Sequence, residues 1–123
     1  MKFTLDARPG IHLIRGYGPG EVRINEQVLH TNCIVTADAL IENWSPQTVE
    51  SLTLDHLQAV FDLKPELVLL GTGLVQRFPP SAVRSLFTSR RIGLETMDLG
   101  AACRTYNILV QVERRVAAAL LLT

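Results

Sequence analysis

Two short segments concentrate the groups that could bind or transform a ligand. The first is Gly71-Thr72-Gly73. Glycine has no Cβ, so backbone amides on such a turn can approach an anion closely. The turn directly follows the apolar run Leu67-Val68-Leu69-Leu70, and in open α/β sheets ligands gather at the carboxyl ends of strands. It completes neither a Gly-x-Gly-x-x-Gly nor a Gly-x-x-x-x-Gly-Lys-Ser/Thr signature. The competing reading is a plain turn that needs positive φ.

The second segment is Arg104-Thr105-Tyr106-Asn107, read as lying in the first turns of the last helix. A helix N-terminus offers free amides and a partial positive charge. Together with Arg104 these could hold a carboxylate or a phosphate. Tyr106 and Asn107 add a hydroxyl and an amide, and Cys103 is a candidate for a lowered thiol pKa, although no base adjoins it in sequence. The competing reading is a solvated stripe of Arg104, Asn107, Gln111, Arg114 and Arg115, opposite a buried stripe of Leu109, Val112, Val116 and Leu120.

Other chemistry finds less support. His12, His30 and His56 are scattered, and Cys33 and Cys103 form no Cys-x-x-Cys pair. The sequence therefore nominates no metal site and no cofactor. No serine sits in a Gly-x-Ser-x-Gly elbow. Asp55 and His56 are neighbours pointing in different directions, and Glu66 is far in sequence from other acids. No catalytic set can be named.

The elements that must position these residues change period midway. Ile11-His12-Leu13-Ile14-Arg15, Glu21-Val22-Arg23-Ile24 and residues 27–35 read as an antiparallel meander, with a loop at Gly16-Tyr17-Gly18-Pro19-Gly20 and a tight turn at Asn25-Glu26. Leu40-Ile41 adds a short strand. Thr53 caps a helix running to Leu63, whose buried face is Leu57, Val60 and Phe61. Leu67-Val68-Leu69-Leu70 is unalternating and predicts a strand covered on both faces. Pro79-Pro80-Ser81 opens a second helix buried through Val83, Leu86 and Phe87. Residues 93–97 form a strand, and residues 101–121 a final helix. The fold class is α/β, a mixed central sheet with flanking helices and an antiparallel N-terminal strand extension, in a single domain of residues 1–123. If the strands holding Leu70 and Met97 are parallel neighbours, Gly73 and Arg104 meet at one end of the sheet.

Composition narrows the class. Of the 123 residues, 47% are hydrophobic, and twelve basic side chains balance twelve acidic ones. That balance argues against nucleic-acid binding and against disorder. Two cysteines suit a reducing cytoplasm and free thiols. The longest apolar run, residues 116–122, is far short of the roughly twenty residues of a membrane helix. The start, Met1-Lys2-Phe3-Thr4-Leu5-Asp6, is too polar for a signal peptide.

Lys64-Pro65-Glu66-Leu67-Val68-Leu69-Leu70-Gly71-Thr72-Gly73, Phe78-Pro79, Glu95-Thr96-Met97-Asp98, Ala102-Cys103-Arg104-Thr105-Tyr106-Asn107-Ile108-Leu109 and Glu113-Arg114-Arg115 together resemble the Mth938-like family, a domain of unknown function. The resemblance covers nearly the whole chain and implies a three-layer α/β fold. Eukaryotic members include a mitochondrial assembly factor for respiratory complex I, whereas this sequence begins almost at the domain. The resemblance implies no established catalytic residues.

The functional expectation is a non-catalytic binding or assembly module with a protein partner or a homodimer, for which Leu121 and Leu122 offer apolar surface. The alternative is a small-molecule or anion site, or an unrecognised enzyme, at Gly71, Thr72, Gly73, Arg104, Thr105, Tyr106 and Asn107.

Overall fold

Alternation and turn residues build a first sheet. In the computed structural model, which describes residues 10–122, strands β1 (Ile14–Gly18), β2 (Glu21–Ile24) and β3 (Gln27–Leu29) pair antiparallel in that order. Val22 and Ile24 are buried while Glu21 and Arg23 face solvent, as the period of two requires. Asn25 takes φ 51° at the tight turn, a left-handed conformation that asparagine tolerates. The expected strand start at Ile11 is corrected to Ile14. His12 lies before the strand, its amide donating to the Ala37 carbonyl at 2.9 Å. Gly16, Tyr17 and Gly18, expected in a loop, belong to β1, and the turn is confined to Pro19-Gly20. The segment Met1-Lys2-Phe3-Thr4-Leu5-Asp6 lies outside the described residues.

Residues 27–35 do not form one strand. The chain leaves the first sheet after Leu29 and enters a second at β4 (Cys33–Val35). Asn32 makes the crossing: its side chain donates to the Pro46 carbonyl at 2.7 Å and accepts from the Leu122 amide at 2.8 Å. An asparagine so bonded competes with ladder pairing.

The second sheet has the order β5-β4-β8-β6-β7, where β5 is Leu40–Ile41, β6 Leu67–Thr72, β7 Gly93–Met97 and β8 Val116–Leu121. β6 is parallel to β7 and β8, and β4 is antiparallel to β5 and β8. β6 therefore has strands on both edges. Its side chains Val68 and Leu70 enter one core and Leu69 the other, so the expectation of a strand covered on both faces holds.

The final helix of residues 101–121 is corrected. Helix α3 is Leu99–Gln111, and the chain then turns and becomes β8. No glycine or proline announces the stop; Glu113 takes φ 64° while the Arg114 amide returns to the Leu109 carbonyl at 3.0 Å. Ala117, Ala118 and Ala119 favour helix in isolation, but tertiary burial overrides them, because they are fully buried between two layers. The expected buried stripe falls with the helix. Val112 is exposed, while Val116 and Leu120 are buried as strand residues. Leu121 and Leu122, expected as surface for a partner, are buried.

The remaining helices follow their local signals. α1 (Leu54–Phe61) starts after Thr53, and α2 (Ser81–Ser89) after Pro79-Pro80. Both cover one face of the second sheet through Leu57, Val60, Phe61, Val83 and Phe87. The Phe61 and Phe87 rings meet edge to face at 5.0 Å. α3 and the first sheet cover the other face. The fold is a three-layer α/β arrangement around a mixed sheet.

Candidate functional site

β6 and β7 are parallel neighbours with Gly71 beside Met97, so their carboxyl ends lie together. From there the chain leaves as two loops, and the two sequence segments meet. The Gly73 carbonyl accepts from the Leu99 amide at 2.8 Å, tying the loop after β6 to the first turn of α3. Gly73 and Arg104 line one cavity of about 250 Å³, together with Tyr17, Leu74, Asp98 and Gly100.

The seven nominated residues separate into three groups. Gly71 is a packing residue. A Cβ there would stand 3.0 Å from Leu120 Cδ2 and 3.1 Å from Ala102 Cβ, so any larger residue would press on Leu120 and α3, and glycine lets the helix lie close to the sheet. Gly73 supplies the turn, with φ 82°. Thr72 is buried, and its hydroxyl organises the following loop: it donates to the Val75 carbonyl at 2.7 Å and accepts from the Arg77 amide at 3.0 Å. Gln76 Nε2 then donates to the Thr96 carbonyl at 2.8 Å.

The Arg104-Thr105-Tyr106-Asn107 segment does not open the helix, which begins five residues before Arg104 at Leu99. The amides of the first turn are spoken for. Asp98 Oδ1 accepts from Ala101 at 2.9 Å, and Gly73 takes Leu99. A carboxylate already occupies the positive end of the helix, so the anion cradle expected there is filled by the chain itself.

Three of the four residues instead grip the N-terminal segment. Arg104 Nη1 donates to the Tyr17 hydroxyl, with its guanidinium carbon 5.9 Å from the ring centroid. Tyr106 is fully buried and donates to the His12 carbonyl at 2.8 Å; burial raises its phenol well above the ordinary value, and Asp38 adds to the rise. Asn107 accepts from the Ile14 amide at 2.9 Å and donates to the Ile14 carbonyl at 2.7 Å. Thr105 is half-buried. Asn107 is thus removed from the solvated stripe proposed for it, and Thr72, Arg104 and Asn107 do not converge on one point.

Cys103 is corrected as well. Burial pushes its thiol up to about 12, with Cys33 adding to the rise; the nearby Arg104 charge opposes this without prevailing. Cys33 is likewise pushed up to about 12 by burial, then by Glu42. Both are free thiols. Glu66 is held below its ordinary 4.5 by the Arg115 amide and then by the Arg114 side chain.

Sequence reasoning missed Tyr17, Asp98 and Leu74. The signal for Tyr17 was Gly100. A Cβ at Gly100 would stand 2.8 Å from Tyr17 Cε2, so the ring packs directly on the helix. The signal for Leu74 was its place in an apolar pair, Leu74-Val75, after a turn rather than within an element.

The model of a family described as proteins of unknown function, DUF498/DUF598, matches residues 14–121. The chain belongs to this family. Among solved structures, the DUF498/DUF598 chain superposes on the NMR structure of a Xanthomonas campestris protein with a TM-score of 0.83 at 36% identity, covering 98% of this chain and 89% of that one. A Bordetella pertussis protein described as a Mth938-like domain matches with a TM-score of 0.79 at 28% identity, covering 99% and 92%. The expected Mth938-like fold is the fold of this chain. Among curated relatives, NADH dehydrogenase [ubiquinone] 1 alpha subcomplex assembly factor 3 of Danio rerio is 29% identical over 89% of this chain. A Francisella tularensis protein named 13 kDa major membrane protein is 32% identical over 56%. The chain spans 63% of the first and 56% of the second. Among the described residues no helix is long and apolar enough to cross a membrane.

Proposed function

We propose that this member of the DUF498/DUF598 family is a non-catalytic, cytoplasmic protein-binding module that serves the assembly of a respiratory complex. The observation that carries the reading is the loop after β6. Leu74 and Val75 are 74% and 56% exposed, yet the backbone behind them is fixed by the buried Thr72 hydroxyl and by Gln76. Large apolar side chains held outward on a braced loop bind with little ordering cost. Next to them, the Tyr17 ring and the Arg104 guanidinium present the residue types enriched at binding hot spots. The Danio rerio relative's name, an assembly factor for an NADH dehydrogenase subcomplex, supplies the partner class.

The test is deletion of the gene in its own organism, with the NADH-oxidising complex resolved on native gels. Loss of assembled complex, restored by the native chain but not by an L74S/V75S variant of unchanged melting temperature, supports the reading. Normal assembly in the deletion strain overturns it. The cavity of Tyr17, Gly73 and Arg104 favours a second reading, a small-molecule site. A ligand from a thermal-shift screen whose stabilisation disappears in R104A supports that alternative.

A further inference from the structure

A second surface is set apart by its charge. The chain as a whole balances acids and bases, yet residues 67–94 contain Arg77, Arg84, Arg90 and Arg91 and not one aspartate or glutamate. The fold puts these arginines outside. α2 turns Val83 and Phe87 inward and leaves Arg84, Ser85, Thr88 and Ser89 exposed; Arg90 and Arg91 follow its end, also exposed. Phe78 precedes the helix with 59% of its surface exposed, and the Arg84 guanidinium carbon lies 5.9 Å from the centre of its ring.

The surrounding acids offset one of these charges, that of Arg77. Glu50 lies 3.8 Å from Arg77. Asp55 lies in α1 and Asp62 follows its end, where Asp62 accepts from Gln58. Leu94 packs in the α1–α2 core and Met97 in the opposite one. Strand alternation therefore puts Glu95 on the far face with Met97.

We propose that the face formed by Phe78, Arg84 of α2 and the arginines that follow it docks peripherally on an anionic lipid bilayer surface. Arginine beside an exposed aromatic ring suits that occupant. The guanidinium reaches lipid phosphates through paired donors, while the ring and the flanking Leu74 and Val75 enter the boundary between headgroups and acyl chains. A bilayer requires no matching groove, and these side chains project rather than line one. Each arginine near an anionic surface contributes about fivefold to partitioning. The attraction weakens as salt shortens the range of the field. This inference shares the exposed Leu74 and Val75 with the assembly reading, but it is carried by Phe78 and the arginines of this face, which that reading does not use.

The experiment is cosedimentation of the purified chain with vesicles of phosphatidylcholine containing phosphatidylglycerol, and with vesicles of phosphatidylcholine alone. Retention on the anionic vesicles only, falling as salt rises, is the result expected. R84Q/R91Q should lower the partition coefficient by on the order of tenfold or more, whereas R15Q/R23Q, with the same two charges lost from the first sheet, should lower it far less. Equal retention on both vesicle types, or none on either, overturns the proposal; an acidic protein as the true partner would give none. The salt titration of the native chain decides the matter even if R84Q/R91Q fails to fold.

Discussion

The side-chain amide of Asn107 pairs with Ile14 as a neighbouring strand would, accepting its amide at 2.9 Å and donating to its carbonyl at 2.7 Å. A helix thereby completes the hydrogen bonding of a strand. The β1 register is irregular at this point, between Ile14 and Gly16. With Tyr106 on the His12 carbonyl and Arg104 on the Tyr17 hydroxyl, the helix holds β1 and the residues just before it at three places.

Asn107→Ala should be the most damaging polar substitution of that set. It strands both backbone groups of Ile14 in a partly buried site, and each unsatisfied group costs about 1–3 kcal/mol. Urea denaturation should show a loss of about 2–4 kcal/mol. Asn107→Asp, which can still accept from the amide, should lose less. Equal stability of Asn107→Ala and the native chain would remove the clamp from the account.

Arg104→Ala should behave differently. Arg104 is exposed, and an exposed guanidinium over an aromatic ring contributes about 0.5–1 kcal/mol. The melting curve should therefore shift little. The Tyr17 ring resonances should nevertheless move in an NMR spectrum, because the ring loses the group that holds its hydroxyl.

Thr72→Val keeps the shape of the side chain and removes the hydroxyl that braces the loop. The Arg77 amide then has no acceptor at Thr72, and its hydrogen exchange should accelerate strongly. Thr72→Ser should restore the native rate. The loss of global stability should be about 1–2 kcal/mol, and exchange in β8 should follow only that global change.

The two thiols set an alkaline limit. Their pKa rises from an ordinary 9.0 in the unfolded chain to about 12 when folded. A raised folded pKa gives stability that is fully present below pH 9 and is lost as pH climbs toward 12. Between those values the unfolded chain releases protons that the native one retains. The loss grows with each pH unit over that range. Stability measured from pH 8 to pH 11 should therefore fall, and fall less steeply in C33A/C103A. Iodoacetamide should label both cysteines far more slowly before unfolding than after.

Much of this fold was legible because its cues are local. Val22 and Ile24 alternate with charged residues, Thr53 and Pro80 precede their helices, and Leu67-Val68-Leu69-Leu70 does not alternate. β8 was not legible, because a short apolar run rich in alanine suits a buried helix and a buried strand alike. What separates them is the narrow gap between layers, where Leu120 and Ala102 both close on Gly71. The candidate site was half legible. The meeting of Gly73 with Arg104 followed from parallel pairing of β6 and β7. The role of Asn107 did not, because its partner Ile14 lies 93 residues away.

The place of β8 bears on how the chain is made. It is the last of the described strands to leave the ribosome, and it takes the middle position of its sheet. Before residues 116–121 emerge, the pair β4–β5 and the pair β6–β7 share no ladder, and each presents an open apolar edge. Completion of the sheet therefore waits for β8 and closes over long sequence separations, which slows folding. A nascent chain stalled or truncated ahead of Val116 has two half-sheets and nothing to join them, and it is a natural client for a chaperone.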